Sequence, residues 1–430
     1  MAVNLKQRPF FIAALICVVV FYSGIVRIPP KNPLCAVIPT CEITGITGLL
    51  VQSPQKSSSG SSYLAKMSLE NVSGGCTTSF PSAFSSAKGL VTVVIPSELA
   101  EVYLPGKIYS RVKALKKGCF LYESGAEYEF EGRFISSTPG SEAFLVSDCL
   151  SCHWKSGFFG RLDKIRALSR LHFKRLMYFW NEGGGLIVAL LSGSKEYLDG
   201  ALYSNFRKSG LSHIIALSGM HLSMFSAITV FFASKFGRKK LTIILRLFAL
   251  VCFVWFAGFS PSLMRAFICS MLLLFATVAG VPNPDMLLIL SFSFLLQAVI
   301  SPSDLHNVGL MLSYSALFGI LLTGRFLNRV LIKIVPCYFA GSVSSSCGAQ
   351  LFTAPLSLKL FGSFSPVGVI ATVFVSPLIS IFIYTSLFLI ILCLIFPSLA
   401  PYSAIFIKIE YNFINSVVSF FSHAPVWSIS

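Results

Sequence analysis

The residues that could do chemistry gather between Gly210 and Phe225, in the stretch GLSHIIALSGMHLSMF. His213, Ser218, Gly219 and His221 sit there inside an otherwise apolar run. An imidazole is costly in hydrocarbon, so in a membrane it turns towards a bundle interior or a wet path. Ser218 and His221, three residues apart, could touch on one helical face as a serine–histidine dyad, the core of an intramembrane serine hydrolase. The stretch holds no carboxylate to orient the imidazole, so proton acceptance would be poor. His213 and His221 are eight residues apart, about 12 Å along a straight helix, which is too far to ligate one metal. Two other roles remain for the same groups: the polar lining of a transport path, or side chains satisfied at a tight helix crossing.

The elements that must position these groups follow from composition. Of 430 residues, 54% are hydrophobic and 12% charged, with 40 phenylalanines, which is the make-up of an integral membrane protein. The net charge of +17 is uneven. From Ile165 onward 18 basic residues face six acidic ones, and this is the apolar part of the chain. Cytoplasmic loop charge accounts for most of that excess, and a path for a polyanion is the sharper reading.

Residues 1–27 read as an uncleaved anchor rather than a cleaved signal peptide, with Lys6 and Arg8 ahead of an apolar run and a poor small-residue cleavage pattern. Residues 33–156 read as an exported, all-β domain. Six short alternating runs, separated by Gly, Pro and Ser, suggest a small OB-like barrel. Such modules bind single strands with a basic groove and stacked aromatics. Arg111, Lys113, Lys116 and Lys117, with Tyr103, Tyr109 and Tyr122, could form that face, or a solvated strand edge. Six cysteines, Cys35, Cys41, Cys76, Cys119, Cys149 and Cys152, are disulfide candidates if the domain is exported. The last two lie in CLSCH, which matches a c-type haem attachment pattern and equally suits a redox, zinc or structural pair.

Residues 157–209 read as amphipathic interfacial segments. Phe158 to Trp180 interleaves Phe159, Leu162, Ile165 and Leu168 with Arg161, Lys164, Arg166, Arg170, Lys174 and Arg175, the pattern of a basic helix on a membrane surface. A Gly183–Gly185 hinge follows, then an apolar stretch too short to span. Arg207 and Lys208 precede the histidine run and could gather a polyanion. Residues 210–397 hold seven apolar runs: Leu211–Ser234, Leu241–Gly258, Pro261–Gly280, Met286–Ile300, Leu305–Gly324, Tyr338–Phe361 and Pro366–Pro397. With the anchor these give eight spans, and the basic loops KFGRKK and GRFLNRVLIK then fall on the cytoplasmic side. Arg246 and Arg265 lie in apolar runs, Arg265 close enough to GFSPS to snorkel. Tyr338–Phe361, with its serines and Gln350, is the least lipid-like run. Pro377 suggests a broken helix. Residues 398–430 read as interfacial or as one more crossing.

Several of these stretches, in this order, resemble the ComEC family of competence DNA channels: SGLSHIIALSGMHL, GFSPSLMRA, VGLMLSYSALFGILL and AQLFTAPLSLKLFGSFSPVGV. An OB-like domain ahead of the membrane domain is also that family's arrangement. The resemblance implies a multi-pass protein of the cytoplasmic (inner) membrane that passes transforming DNA as a single strand. It implies a path lined by His213, Ser218, Gly219, His221, Arg265 and Gln350. Many relatives continue into a metallo-β-lactamase-like domain with an HxHxDH signature. That signature is absent here, so nuclease activity, a metal or another cofactor is not expected. No GxxxxGK[ST] loop occurs either, so the energy source would be a separate ATPase or single-strand-binding protein, beside a separate DNA receptor. A homo-oligomer and a small-anion carrier both stay open.

Overall fold

The structure, a computed structural model, describes residues 9–22, 42–57, 61–74, 85–100, 122–138, 141–195, 197–235, 237 and 239–428. It divides into two compact units, Pro29–Phe173 and, together, Met1–Ile28 with Lys174–Ser430.

The first unit is built on a closed barrel. Its strands are β1 (Ile43–Lys56), β2 (Ser62–Gly74), β3 (Ser85–Pro96), β4 (Ala126–Thr138) and β5 (Ser141–Trp154), in the order β1-β2-β3-β5-β4. Neighbours pair antiparallel except β3 with β5, which run parallel. This is the OB-like arrangement that the alternating runs suggest. Along β2 every second side chain from Tyr63 to Leu69 is buried, and an irregularity between Leu69 and Asn71 then brings Val72 inward. Tyr128, Phe130 and Phe144 fill the interior with Leu50, Met67 and Ile95. Each such side chain contributes about 1.5–3 kcal/mol through burial. A short turn of helix, α2 (Ser97–Ala100), follows β3; α1 belongs to the other unit. The fourth apolar run, KIYSRVKAL, lies outside the described residues.

Helix α3 (Phe158–Tyr178) forms where the 3.6-residue rhythm places it, but its polarity is used differently. Arg166 and Arg170 are only 8% and 6% exposed, while Phe159 is 79% and Leu168 51% exposed. Arg166 Nη2 donates to Ser124 O and Oγ, both at 2.9 Å, and meets Asp163 at 3.2 Å. Arg170 Nε lies 3.4 Å from Glu123 Oε1. Two of the six basic residues are therefore withdrawn from the face the sequence suggests. The fork of a guanidinium reaches a carboxylate and a carbonyl together, and the Glu123–Ser124 turn offers both.

The second unit is helical. After α1 (Pro9–Tyr22) it resumes with α4 (Asn181–Ser192), α5 (Gly200–Lys208), α6 (Ser212–Ile215), α7 (Gly219–Ser234), α8 (Lys239–Ala257) and α9 (Pro261–Val278). Then come α10 (Met286–Ile300), α11 (Val308–Gly319), a π turn (Ile320–Gly324), α12 (Arg325–Leu331), α13 (Cys337–Phe361), α14 (Gly368–Ile395) and α15 (Ala400–Ser422). Among the described residues five helices are long and apolar enough to cross a membrane: Lys240–Ala257, Pro261–Val278, Val308–Leu331, Gly368–Ile395 and Ala400–Ser422. Helix α1 packs on α10 and α11, where Phe10 meets Phe292 edge-on and Phe11 stacks on Phe318.

Three local expectations are corrected. Gly183, Gly184 and Gly185 are no hinge: they lie buried in the first turns of α4. A Cβ on Gly183 would strike Ile407 of α15, and one on Gly185 the Tyr197 carbonyl, so the glycines permit close packing. Pro377 does not break α14, which is continuous over 28 residues. The helix absorbs the lost bond because its other backbone bonds persist in a medium that offers no water. The histidine run, read as one helix, is interrupted at Ala216–Ser218. Elsewhere the close approach is backbone to backbone: Gly319 sits against the Gly348 carbonyl, beside the π turn.

Candidate functional site

The interruption between α6 and α7 creates the site. Ala216 adopts an extended conformation, so the chain leaves α6 and re-enters a helix at Gly219 with fresh N–H groups. Ser218 stands at the N-cap position and His221 three residues on. The backbone N–H of Ser218 donates to His221 Nδ1 at 3.2 Å, and Ser218 Oγ lies 3.2 Å from the same nitrogen. This is one half of a capping box, the third-residue side chain reaching back to the N-cap N–H, with imidazole in place of the usual carboxylate or amide. The pair does touch, as the spacing suggests, but across a helix start rather than along a helix face.

Acceptance at Nδ1 leaves the proton of the neutral ring on Nε2. That nitrogen is wholly buried and bonded to nothing among the described residues. Arg265, on α9, comes to the same place. Its Nη2 would lie 3.6 Å from a Cβ added to Gly219, and Ala266 Cβ would lie 3.3 Å from it. Arg265 is 9% exposed, so it is held inside the unit rather than snorkelling outward. Its Nε has no partner, and no ion pair or hydrogen bond forms to it among the described residues. The start of α9 joins in. Ser262 Oγ donates to Leu217 O at 3.3 Å, while Ser260, the N-cap of α9, has a buried hydroxyl without a bond. Two helix N-termini and three unpartnered side-chain groups thus share one junction.

A hydrogen-bonded chain fixes α9 there. Gln297 Nε2 donates to Pro261 O at 3.1 Å; Tyr314 OH donates to Gln297 Oε1 at 3.2 Å; Ser293 Oγ lies 3.2 Å from Tyr314 OH, and Cys269 Sγ 3.3 Å from Ser293 Oγ. Sequence reasoning missed Gln297, Tyr314 and Ser293. The signal was there, because each is a polar residue inside an apolar run and such residues face the bundle interior.

Gln350 and His213 belong to a neighbouring cluster. Gln350 Nε2 reaches the start of α14, 2.8 Å from where a Cβ on Gly368 would lie, and the backbone of Ser209 and Gly210 packs on the same glycine. Gly210 has φ +74°, a conformation that favours glycine, and Ser365 O crowds it. His213 on α6 follows Gly210 closely in the chain and keeps an exposed surface. Arg207 and Lys208 are exposed in the last turn of α5.

In the barrel the expected nucleic-acid face is altered. Arg111, Lys113, Lys116 and Lys117 lie outside the described residues, as do Tyr103 and Tyr109. Tyr122 is buried against Tyr128 and Phe130, so it offers no stacking surface. Cys35, Cys41, Cys76 and Cys119 are also outside, whereas Cys149 and Cys152 are free thiols. An irregularity of β5 opposite Glu129 and Phe130 turns both towards the core, although three residues apart on a regular strand they would face opposite ways. Burial pushes the Cys149 thiol up to about 12 and raises that of Cys152 as well. Cysteines so placed suit packing better than haem attachment, which needs both sulfurs at an open edge. No group of three metal-ligating residues occurs among the described residues.

A small all-β unit joined to a polytopic helical unit, with unpaired polar groups gathered inside the helices, defines a multi-pass membrane protein. Residues 190–430, more than half of the chain, match the family described as Competence protein, and the chain belongs to that family. It is 26% identical to ComE operon protein 3 of Bacillus subtilis over 187 residues, 43% of this chain and 23% of that protein. It is also 26% identical to Recombination protein 2 of Haemophilus influenzae over 212 residues, 46% of this chain and 27% of that one. The matched stretches thus span about a quarter of either relative. No solved structure matches.

Proposed function

We propose that the chain takes part in DNA uptake during competence, as a conduit that passes a single strand across the cytoplasmic membrane. Membership of the competence family supports the process, and the junction of α7 with α9 supports the conduit. The observation that carries it is Arg265, a guanidinium nine-tenths buried in a membrane-length helix with no counter-charge among the described residues. An unpaired charge there is costly, by a few kcal/mol at least on insertion scales, so it persists where a transient anion answers it. His213, Ser218, Gly219, His221, Arg265 and Gln350 line the path on this reading. They replace phosphate hydration without the dense positive charge that would trap a strand. Arg207 and Lys208 gather the polyanion, and a separate receptor and a cytoplasmic ATPase or single-strand-binding protein work on either side.

The hydrolase alternative is weaker. His221 Nδ1, which would take the serine proton, already accepts from the Ser218 backbone, and no carboxylate orients the ring among the described residues. The test is uptake of labelled DNA by cells carrying or lacking this gene, with small-solute uptake followed in parallel. Loss of DNA uptake alone is expected without the gene. If uptake survives the combined loss of His213, His221 and Arg265 in well-expressed protein, those groups are packing elements and the path lies elsewhere.

A further inference from the structure

We infer that the junction of α7 and α9 is a phosphate-binding site that holds one phosphodiester at a time. The inference rests on the conduit reading for its ligand, but its geometry stands apart from that reading.

Every unsatisfied group there can donate a hydrogen bond. The first N–H groups of α7 have no acceptor within the helix, and none is bonded to Gly219 or Met220 among the described residues. His221 Nε2–H and Arg265 Nε are buried donors without partners. The Ser260 hydroxyl, at the start of α9, is buried and unbonded too. A lone buried donor can be an accident of packing. Several donors at one junction, with no carboxylate paired to the arginine, describe the complement of a ligand that only accepts and carries negative charge. Two helix N-termini add partial positive charge at the same point, which favours an anion such as a phosphodiester.

The surroundings are built to hold this geometry. Gly219 leaves the room that a side chain would take from Arg265 Nη2, with contacts at 3.3 and 3.6 Å from the position of a Cβ. Ser262 ties the start of α9 to the interrupted segment through Leu217 O. Gln297, held by Tyr314, grips the Pro261 carbonyl at the first turn of α9. Gln297 and Tyr314 are therefore positioning residues: they set where α9, and with it Arg265, stands. Because the site satisfies one phosphate, a strand would cross it one phosphate after another.

The experiment uses the full chain in lipid nanodiscs. Binding is measured for an oligothymidylate, its uncharged methylphosphonate counterpart and inorganic phosphate, at matched ionic strength, with Arg265→Gln and Arg265→Lys beside the unaltered protein. The unaltered chain is expected to bind the oligothymidylate at least tenfold more tightly than Arg265→Gln does. The salt slope of log affinity should fall by about 0.7 in the variant, the share of one phosphate contact on a single strand. The methylphosphonate strand should bind no better to the unaltered chain than to the variant. Equal affinity of unaltered and Arg265→Gln protein for the charged strand overturns the site, as does unchanged discrimination against methylphosphonate in the variant. Should Arg265→Gln fail to fold, Arg265→Lys decides: its compact ammonium loses the fork, so severalfold weaker binding supports the site and equal binding refutes it. If inorganic phosphate binds in an Arg265-dependent way while no strand does, the site holds and the DNA-conduit reading falls, leaving a small-anion carrier.

Discussion

Replacing Glu123 by leucine removes the carboxylate that faces Arg170 in the barrel unit. The two side chains are 3% and 7% exposed and 3.4 Å apart, and Glu123 Oε2 also accepts from Ser53 Oγ at 2.6 Å. Removing one member of so buried a pair leaves the other charge in a poorly solvated place and costs about 3–5 kcal/mol. Ser53 keeps Ser124 as a neighbour at 3.3 Å, so its share of the loss is small. At about 1.4 kcal/mol per tenfold, the opening equilibrium of the barrel should rise by roughly two to three and a half powers of ten. Hydrogen exchange of β4 and β5 peptides in the purified full chain reads this directly, under conditions where closing outpaces exchange. The double variant Glu123→Leu with Arg170→Met should regain most of the protection, because well-packed apolar groups often replace a buried pair at little cost. Protection of the single variant within threefold of the unaltered chain would refute the reasoning and mark the pair as a surface contact.

Three further outcomes are expected. With its folded-state value near 12 against an ordinary value near 9, the Cys149 thiol should resist iodoacetamide at pH 8.5 in the folded chain and react in urea, as mass spectrometry would show; an equal yield in both would contradict its burial. The folded state holds that proton more tightly than the unfolded one, so its contribution is complete below about pH 9 and lost as pH climbs towards 12. Ser218→Ala should keep the imidazole bonded to the residue 218 N–H, cost no more than about 1 kcal/mol and leave most DNA uptake intact; complete loss in folded protein would favour nucleophilic chemistry. Cysteines placed at Val51 and Gly237 should label from opposite sides of the membrane, and labelling of both from outside would overturn the arrangement argued from loop charge.

What the sequence determined by itself is local or additive. Alternation with Gly, Pro and Ser breaks marks β1, β2, β3, β4 and β5, because side chains on a strand must face core and water in turn. Long apolar runs mark the helices, because backbone in lipid must satisfy its own bonds. The spacing of Ser218 and His221 was also enough to bring them within 3.2 Å. The tertiary structure alone decided what those residues do. The histidine run is two helices rather than one, with Ser262 of another helix bonded to Leu217 O in the interruption and Arg265 beside Gly219, partners that no window on the run itself contains. Arg166 and Arg170 look like part of a basic stripe on a membrane surface until the turn at Glu123 and Ser124 supplies their partners. Cys149 and Cys152 point the same way only because of an irregularity in β5 set by its pairing with β4. Periodicity reports which groups must be hidden from water; which partner hides them is settled by segments far along the chain.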